Sequence, residues 1–246
     1  MTEIQSLARG LKILELLSQA QDGISITELA DQLLVDKASA SRLVSTLARY
    51  GYAEKDLVTR RYHLGPQVVG LSRSVLTRLP LREAAKPYLR QLMEQTGECA
   101  HLAVPAQEKV LYIDQVESPA TLRVNAQVGT MNPLHCTALG KALLAFGEVK
   151  IPETLERRTP QTIKSKRALL QQLEEIRKTG YAVDDEEFDL GVRCIAVPVF
   201  DFRNKAIGSI GISGPASRIT PERLSTLTAV VVEIGKALSE RMTFTR

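Results

Sequence analysis

At 246 residues, with 44% hydrophobic and 24% charged side chains, the chain is long enough for two ordinary domains with cores of their own, and its composition excludes intrinsic disorder. Aromatic side chains make up only 4% and Trp is absent, which argues against a platform for stacking sugars or single-stranded bases. The formal net charge of +4 admits a polyanionic partner, but the charge is local: residues 1–65 hold eight Lys/Arg and eight Asp/Glu, whereas residues 37–62 carry six Lys/Arg against two acids.

The apolar spacing predicts a first helix from Ser6 to Gln19 that buries Leu7, Leu11, Leu14 and Leu17 or Ser18. Gln21-Asp22-Gly23 breaks it, and Ser25-Ile26-Thr27-Glu28 supplies a capping box for a short second helix burying Leu29 and Leu33. Asp36 caps a third helix to about Tyr50, with Ala40, Leu43, Val44 and Leu47 inward. Small hydroxyl residues on its outer side allow close approach to a duplex, and arginine among them reaches a phosphate or a base edge. Gly51-Tyr52-Ala53-Glu54-Lys55 and Arg60-Arg61-Tyr62-His63-Leu64 are short strand-like runs around a polar tip, ending at Gly65-Pro66. This order is that of a winged helix-turn-helix. The candidate contacts to double-stranded operator DNA are Lys37, Ser39, Ser41, Arg42, Ser45 and Arg49 on the third helix, with Arg60 and Arg61 on the wing.

Residues 66–80 read as a linker helix, with Val69, Leu71 or Ser72, Val75 or Leu76 and Leu79 on one side, ended by Pro80. A further helix from Leu81 to Thr96 buries Ala84 or Ala85, Leu89, Leu92 and Met93. The remainder alternates strand-like stretches (Cys99 to Pro105, Val110 to Val116, Leu122 to Val128, Ile195 to Phe200, Ile207 to Ser213) with helical ones (Thr137 to Phe146, Lys166 to Thr179, Pro221 to Met242). Short turns such as Gln107-Glu108-Lys109 favour antiparallel pairing and an α+β class. Gly208, Gly211 and Gly214 lack the context of a dinucleotide fingerprint and read as close-packed strand positions. The cluster Asp184-Asp185-Glu186-Glu187 beside Arg193 predicts an ion pair.

Ser6-Leu7-Ala8-Arg9-Gly10-Leu11-Lys12-Ile13-Leu14, Thr27-Glu28-Leu29-Ala30, Lys37-Ala38-Ser39, Gly51-Tyr52 and Tyr62-His63-Leu64-Gly65 closely resemble the IclR-type family of bacterial transcription regulators. Gly180, Asp184, Glu187, Cys194-Ile195-Ala196 and Val199-Phe200-Asp201 fall at the spacing of that family's signature, and Leu134 to Ala142 and Ser213-Gly214-Pro215 extend the likeness over essentially the whole chain. One departure is Asp36, where many members have proline. The resemblance implies a DNA-binding domain (1–65), the linker helix (66–80) and a GAF-like antiparallel-sheet effector-binding domain (81–246). It implies a small organic acid as effector and homodimers, often paired into dimers of dimers. Carried over residue by residue, the pocket comprises Val124, Thr137, Ala138, Leu139, Asp184, Val192, Cys194, Gly211 and Ser213. Gly211 stands where some members have serine, which is expected to widen the pocket.

The apolar runs fall short of the roughly 20 residues that span a bilayer, and the first residues lack a signal-peptide layout, so a cytoplasmic protein with reduced thiols is expected. No membrane, cofactor or metal partner and no enzymatic activity are expected. The alternative reading is a metal-binding or thiol-based sensor or enzyme with an accessory DNA-binding module, resting on Cys99, His101, His135, Cys136 and Cys194.

Overall fold

The computed structural model describes residues 3–76, 79–124 and 126–243. The chain divides into two units, 1–78 and 79–246. Among the described residues no helix is long and apolar enough to cross a membrane.

The first unit runs α1 (Gln5–Gln19), α2 (Ile26–Leu33), α3 (Lys37–Arg49), β1 (Ala53–Lys55), β2 (Tyr62–Leu64) and α4 (Gln67–Leu76). The capping box forms as expected: the Ser25 amide donates to Glu28 Oε2 (2.7 Å) and the Glu28 amide to Ser25 Oγ (3.3 Å). Asp36 Oδ1 accepts the Ser39 amide (2.8 Å) and starts α3 without the proline of the family pattern. Gly23 takes a φ of +71° beside the His63 ring, where a Cβ would collide, and lets Ile24 bridge to Tyr62. The small core joins Ile13 and Leu17 of α1 to Leu29, Ala40, Val44, Ala53 and Tyr62.

That core corrects the expected stripe of α1. Leu17 is buried as expected, but Leu7 and Leu11 are 60% and 56% exposed, and Ile13 and Leu16 turn inward in their place. In α4 none of the described residues is buried; Val69, Leu71 and Val75 are exposed. Thr77 and Arg78, the end of the expected linker helix, lie outside the described residues, and Pro80 occupies the first turn of the next helix.

The second unit comprises α5 (Pro80–Thr96), β3 (Cys99–Ala106), β4 (Lys109–Val116), β5 (Met131–Pro133), α6 (Ala138–Phe146), α7 (Lys166–Thr179), β6 (Ala182–Asp185), β7 (Val192–Phe200), β8 (Ala206–Pro215) and α8 (Pro221–Thr243). The strands form one six-stranded sheet in the order β5-β4-β3-β8-β7-β6, antiparallel throughout. The expected strand from Leu122 to Val128 is absent among its described residues; Asn125 lies outside them, and the edge strand is the short β5.

Alternation along β8 sorts the helices onto the two faces. Ile210 faces Gly235 of α8, whereas Ser209 donates to the Leu139 carbonyl of α6 (3.0 Å). Helix α6 is buried from Ala138 to Ala145, with α7 and its Leu169 and Leu173 packed in the same cluster. A helix apolar on every side is what such a position demands. On the opposite face a Cβ at Gly235 would collide with Val197 Cγ2, so glycine sets how closely α8 approaches β7.

Replacing Gly235 by alanine forces that contact apart. The overpacking cost, about 1–3 kcal/mol, outweighs the gain of up to about 1 kcal/mol in helix propensity. We expect Gly235→Ala to lower the urea midpoint of this unit, and an unchanged or higher midpoint would contradict the packing.

Candidate functional site

Two clusters collect the residues singled out above. In the first unit, a side-chain chain runs along the start of α3: Ser39 Oγ donates to Asp36 Oδ2 (2.7 Å), and Arg42 Nη2 donates to Ser39 Oγ (3.0 Å). This holds the Arg42 guanidinium along the exposed side of the helix, where Lys37, Ser45 and Arg49 are also exposed and Ser41 is half-buried. Beside it lies a groove of about 250 Å³ between α1 and α3, lined by Ser6, Arg9, Ser39, Arg42, Leu43 and Thr46. Arg9 was missed by the sequence reading because the stripe of α1 was misplaced. With Ile13 inward, the residue one turn before it faces α3.

The two wing arginines part company. Arg60, at a φ of +59°, is exposed. Arg61 turns back: its Nη2 donates to both Glu28 oxygens (3.0 and 2.8 Å) and its Nε to the carbonyls of Asp22 and Gly23 (3.0 and 3.1 Å). The Ser25 amide and hydroxyl, together with Arg61, hold the Glu28 carboxyl down to about 2. Arg61 is therefore a tie between the wing and the start of α2, and Arg60 is the wing arginine left without a carboxylate partner among the described residues.

In the second unit, strand register brings the expected pocket residues together. Cys99 pairs with Ser213, Ser213 with Cys194, and Cys194 with Asp184, giving one row across four strands on the face that carries α6. The adjacent row is His101, Gly211, Ala196 and Ala182. Val192 lies two residues before Cys194 on the same face, half-buried, and Ala138 and Leu139 roof the rows from α6. Thr137 spends its hydroxyl locally, accepting the Gly140 amide of α6 (3.2 Å) and donating to the Pro133 carbonyl at the end of β5 (2.8 Å). Val124 is half-buried in the connection between β4 and β5 and belongs to neither row.

Gly211 corrects the expectation of a wider pocket. A Cβ there would meet the Ala196 Cα at 2.7 Å, so the glycine is required by the approach of β7 to β8. Opposite it, His101 places Nε2 2.5 Å from Ser213 Oγ, and its ring meets Tyr112 edge-on at 5.6 Å. Burial depresses the imidazole to about 4, so it is neutral at physiological pH. His101 and Tyr112 were not among the expected pocket residues, and no local signal separates them from other strand positions.

The other missed group is Lys141. It is fully buried in α6, and its ammonium is ion-paired with Glu187 Oε1. Asp184 Oδ1 accepts the amides of Glu187 (2.8 Å) and Phe188 (3.3 Å). Burial pushes the Asp184 carboxyl up to about 7, against the pull of Lys141. The ion pair expected of Arg193 is made to Asp185 (Nε to Oδ1, 2.7 Å).

Burial also pushes the Cys136 thiol up to about 12 and the Cys194 thiol well above its ordinary value. Such thiols are poor nucleophiles at neutral pH. His135, next to Cys136, meets the Glu156 carbonyl (3.0 Å). Among the described residues no three His, Cys, Asp or Glu side chains gather as metal ligands.

Asp184 makes stability pH-dependent with a definite sign. The unfolded carboxyl loses its proton near pH 4 and the folded one near pH 7, so between these values the folded chain holds the extra proton and loses stability as pH rises. Asp184→Asn lacks this slope. Relative to wild type it should gain on the order of 2–4 kcal/mol between pH 4 and 8, measured by urea unfolding; parallel pH profiles would remove the assignment.

Residues 6–57 match the IclR helix-turn-helix domain and residues 73–240 the C-terminal domain of bacterial transcriptional regulator IclR. The chain is 38% identical to the HTH-type transcriptional regulator BhcR of Paracoccus denitrificans (96% of this chain, 86% of that protein). It is 34% identical to the transcriptional repressor IclR of Escherichia coli K12 (96% and 89%). It shares the fold of an IclR homolog from Microbacterium hydrocarbonoxydans solved with 4-hydroxybenzoate, at a TM-score of 0.79 and 21% identity over 96% of this chain and 98% of that one. The chain belongs to the IclR family of DNA-binding bacterial transcription regulators, proteins that control transcription rather than catalyse a reaction.

Proposed function

We propose that this regulator holds operator DNA through Lys37, Ser39, Ser41, Arg42, Ser45 and Arg49 of α3, joined by Arg9 and Arg60, and that a small carboxylate bound beneath α6 governs that grip. The observation that carries the reading is the Asp36–Ser39–Arg42 chain with Arg9 across the groove. It presents two guanidinium groups and several hydroxyls on one side of a helix whose other side is core. The effector half is supported by the 4-hydroxybenzoate of the Microbacterium homolog and by the polar rows of Asp184, Cys194, Ser213 and His101. A carboxylate placed beside an ionised Asp184 would be repelled, but burial keeps a proton on Asp184 up to about pH 7 and makes it a hydrogen-bond donor.

The chain acts as a homodimer, because one α3 spans too few base pairs for useful specificity, and the family resemblance extends this to a dimer of dimers. Effector binding then changes the separation of two DNA-binding units to the extent that it favours one arrangement over another.

On a duplex selected by the full chain from a random-sequence pool, Arg42→Ala and Arg9→Ala should each reduce the slope of log affinity against log salt by about one. Arg61→Ala should leave that slope unchanged and lower the melting temperature instead. Unaltered slopes in the first two variants would withdraw the contact assignment.

In a thermal-shift screen of 4-hydroxybenzoate and short 2-keto and 2-hydroxy acids, hits should stabilise the wild type and not Ser213→Ala. Equal stabilisation of both proteins would place the ligand elsewhere.

A further inference from the structure

Residues 150–167, between α6 and the first turn of α7, carry Lys150, Arg157, Arg158, Lys164, Lys166 and Arg167 against two acids, Glu153 and Glu156. That excess of four equals the net charge of the whole chain. All six cations are exposed, yet the segment is not a loose run of charge. Its middle is pinned to the acidic turn after β6: the Thr159 hydroxyl donates to the Glu186 carbonyl (2.7 Å) and the Thr162 hydroxyl to the Glu187 carbonyl (2.6 Å). Thr162 Oγ1 also accepts the amides of Arg158 (3.1 Å) and Thr159 (2.8 Å).

The four carboxylates of that turn are committed elsewhere. Asp184 accepts the amides of Glu187 and Phe188, Asp185 holds Arg193, Glu186 accepts the Gly191 amide (2.7 Å), and Glu187 holds Lys141. Among the described residues Lys150, Arg157, Lys164, Lys166 and Arg167 have no carboxylate partner; Arg158 meets Glu156 at 3.4 Å and lies over the Phe188 ring at 4.9 Å. Nor do these cations stabilise α7. Lys166 and Arg167 occupy its first turn, where the helix dipole disfavours positive charge, and Leu169, Leu170 and Gln171 stand where helical ion-pair partners would. Like charges fixed on an ordered segment, unpaired and of no use to the fold, fit an external polyanion. The polyanion that a DNA-binding regulator meets is the duplex.

We propose that this face of the second unit holds the phosphate backbone of DNA flanking the operator, as a contact separate from that of the first unit. Lys164, Lys166 and Arg167 carry it, each releasing counterions from the duplex as it binds. The contact reads no base; it lengthens the stretch of DNA covered and adds affinity that salt removes. It stands independently of which α3 side chains meet the operator.

The test uses the full chain and a duplex that it selects from a random-sequence pool. The duplex is trimmed to the sequence that the selected molecules share and, separately, extended by about two helical turns of arbitrary sequence on each side. In the wild type, log affinity should fall more steeply with log salt on the extended duplex, by about two to three units of slope. Lys164→Gln with Lys166→Gln and Arg167→Gln should lose that difference. The same variant should keep the wild-type affinity for the trimmed duplex, the melting temperature and the self-association. Lys164→Arg with Lys166→Arg and Arg167→Lys, which keeps the charge, should retain the difference. Equal slopes on both duplexes in the wild type, or a difference that persists in the glutamine variant, would overturn the proposal. So would weaker binding of the trimmed duplex together with lost self-association, which would make the face a subunit contact. A glutamine variant that binds both duplexes as the wild type does, but no longer binds the poly-glutamate that the wild type retains, would assign the face to an acidic protein and overturn it too.

Discussion

The arrangement of the second unit depends on one buried charge. Lys141 lies within a helix that is otherwise apolar on every side, and an ammonium taken out of water is tolerated only with a counter-charge in contact. Glu187 supplies it, and the requirement propagates. The Glu187 carbonyl accepts the hydroxyls of Thr159 (3.2 Å) and Thr162 (2.6 Å), and its amide is held by Asp184. Helix α6, the acidic turn after β6 and the segment before α7 are thus fixed to one another by a pair whose rupture typically costs about 3–5 kcal/mol.

Charge elsewhere follows a division between cations that hold the fold and cations left for a partner. Arg61 is bound to Glu28, Arg193 to Asp185, and Arg218 to the buried Glu98 through two hydrogen bonds of 2.7 and 2.6 Å. Each has a carboxylate of its own and carbonyls as well. Arg42 hydrogen-bonds a serine hydroxyl, and among the described residues Lys37, Arg49 and Arg60 have no carboxylate partner. The +4 net charge is therefore a poor guide to the DNA-facing surface, and the local excess in residues 37–62 is a better one once Arg61 is subtracted. What remains sits on α3 and at the tip of the hairpin, where a polyanion would meet it first.

The order of elements in the first unit was legible because each boundary is chemical: a capping box at Ser25, an aspartate cap at Asp36, a glycine turn at Gly23. The face of α1 was not. Leu17 was placed correctly, but Leu7, Leu11 and Leu14 and the alternative Ile13 and Leu16 both keep helical spacing with it, and only the position of α3 decides between them. The same limit hid Arg9. Adjacent arginines at 60 and 61 look alike in sequence, yet the fate of Arg61 depends on Glu28, 33 residues away. In the second unit the family spacing led to Asp184, Cys194 and Ser213. His101 was singled out only for a metal or thiol role, and Lys141 not at all, because what matters about them is their neighbours: the Ser213 hydroxyl that meets the imidazole, and the acidic turn that meets the ammonium. The alternating apolar residues of Leu122 to Val128 imitate a strand, but among the described residues of that stretch no strand forms, and the one that pairs with the start of β4 is β5.

The proposed effector site has a charge balance that constrains what it accepts. Below about pH 7 Asp184 is protonated, and Lys141 and Glu187 cancel, so the polar rows carry no net charge before a ligand arrives. A carboxylate then adds one buried negative charge, which the site offsets with donors: the Asp184 proton and the one donor left to the hydrogen-bonded pair of Ser213 and the neutral His101. Above pH 7 the site already holds an unbalanced negative charge, and the same ligand has to enter against it or bring a proton with it. Burying Asp184 thus does more than shape a pocket. On the proposed reading it couples the grip on an organic acid to proton uptake, because the group that lies where the anion would be repelled is the one that burial allows to be discharged.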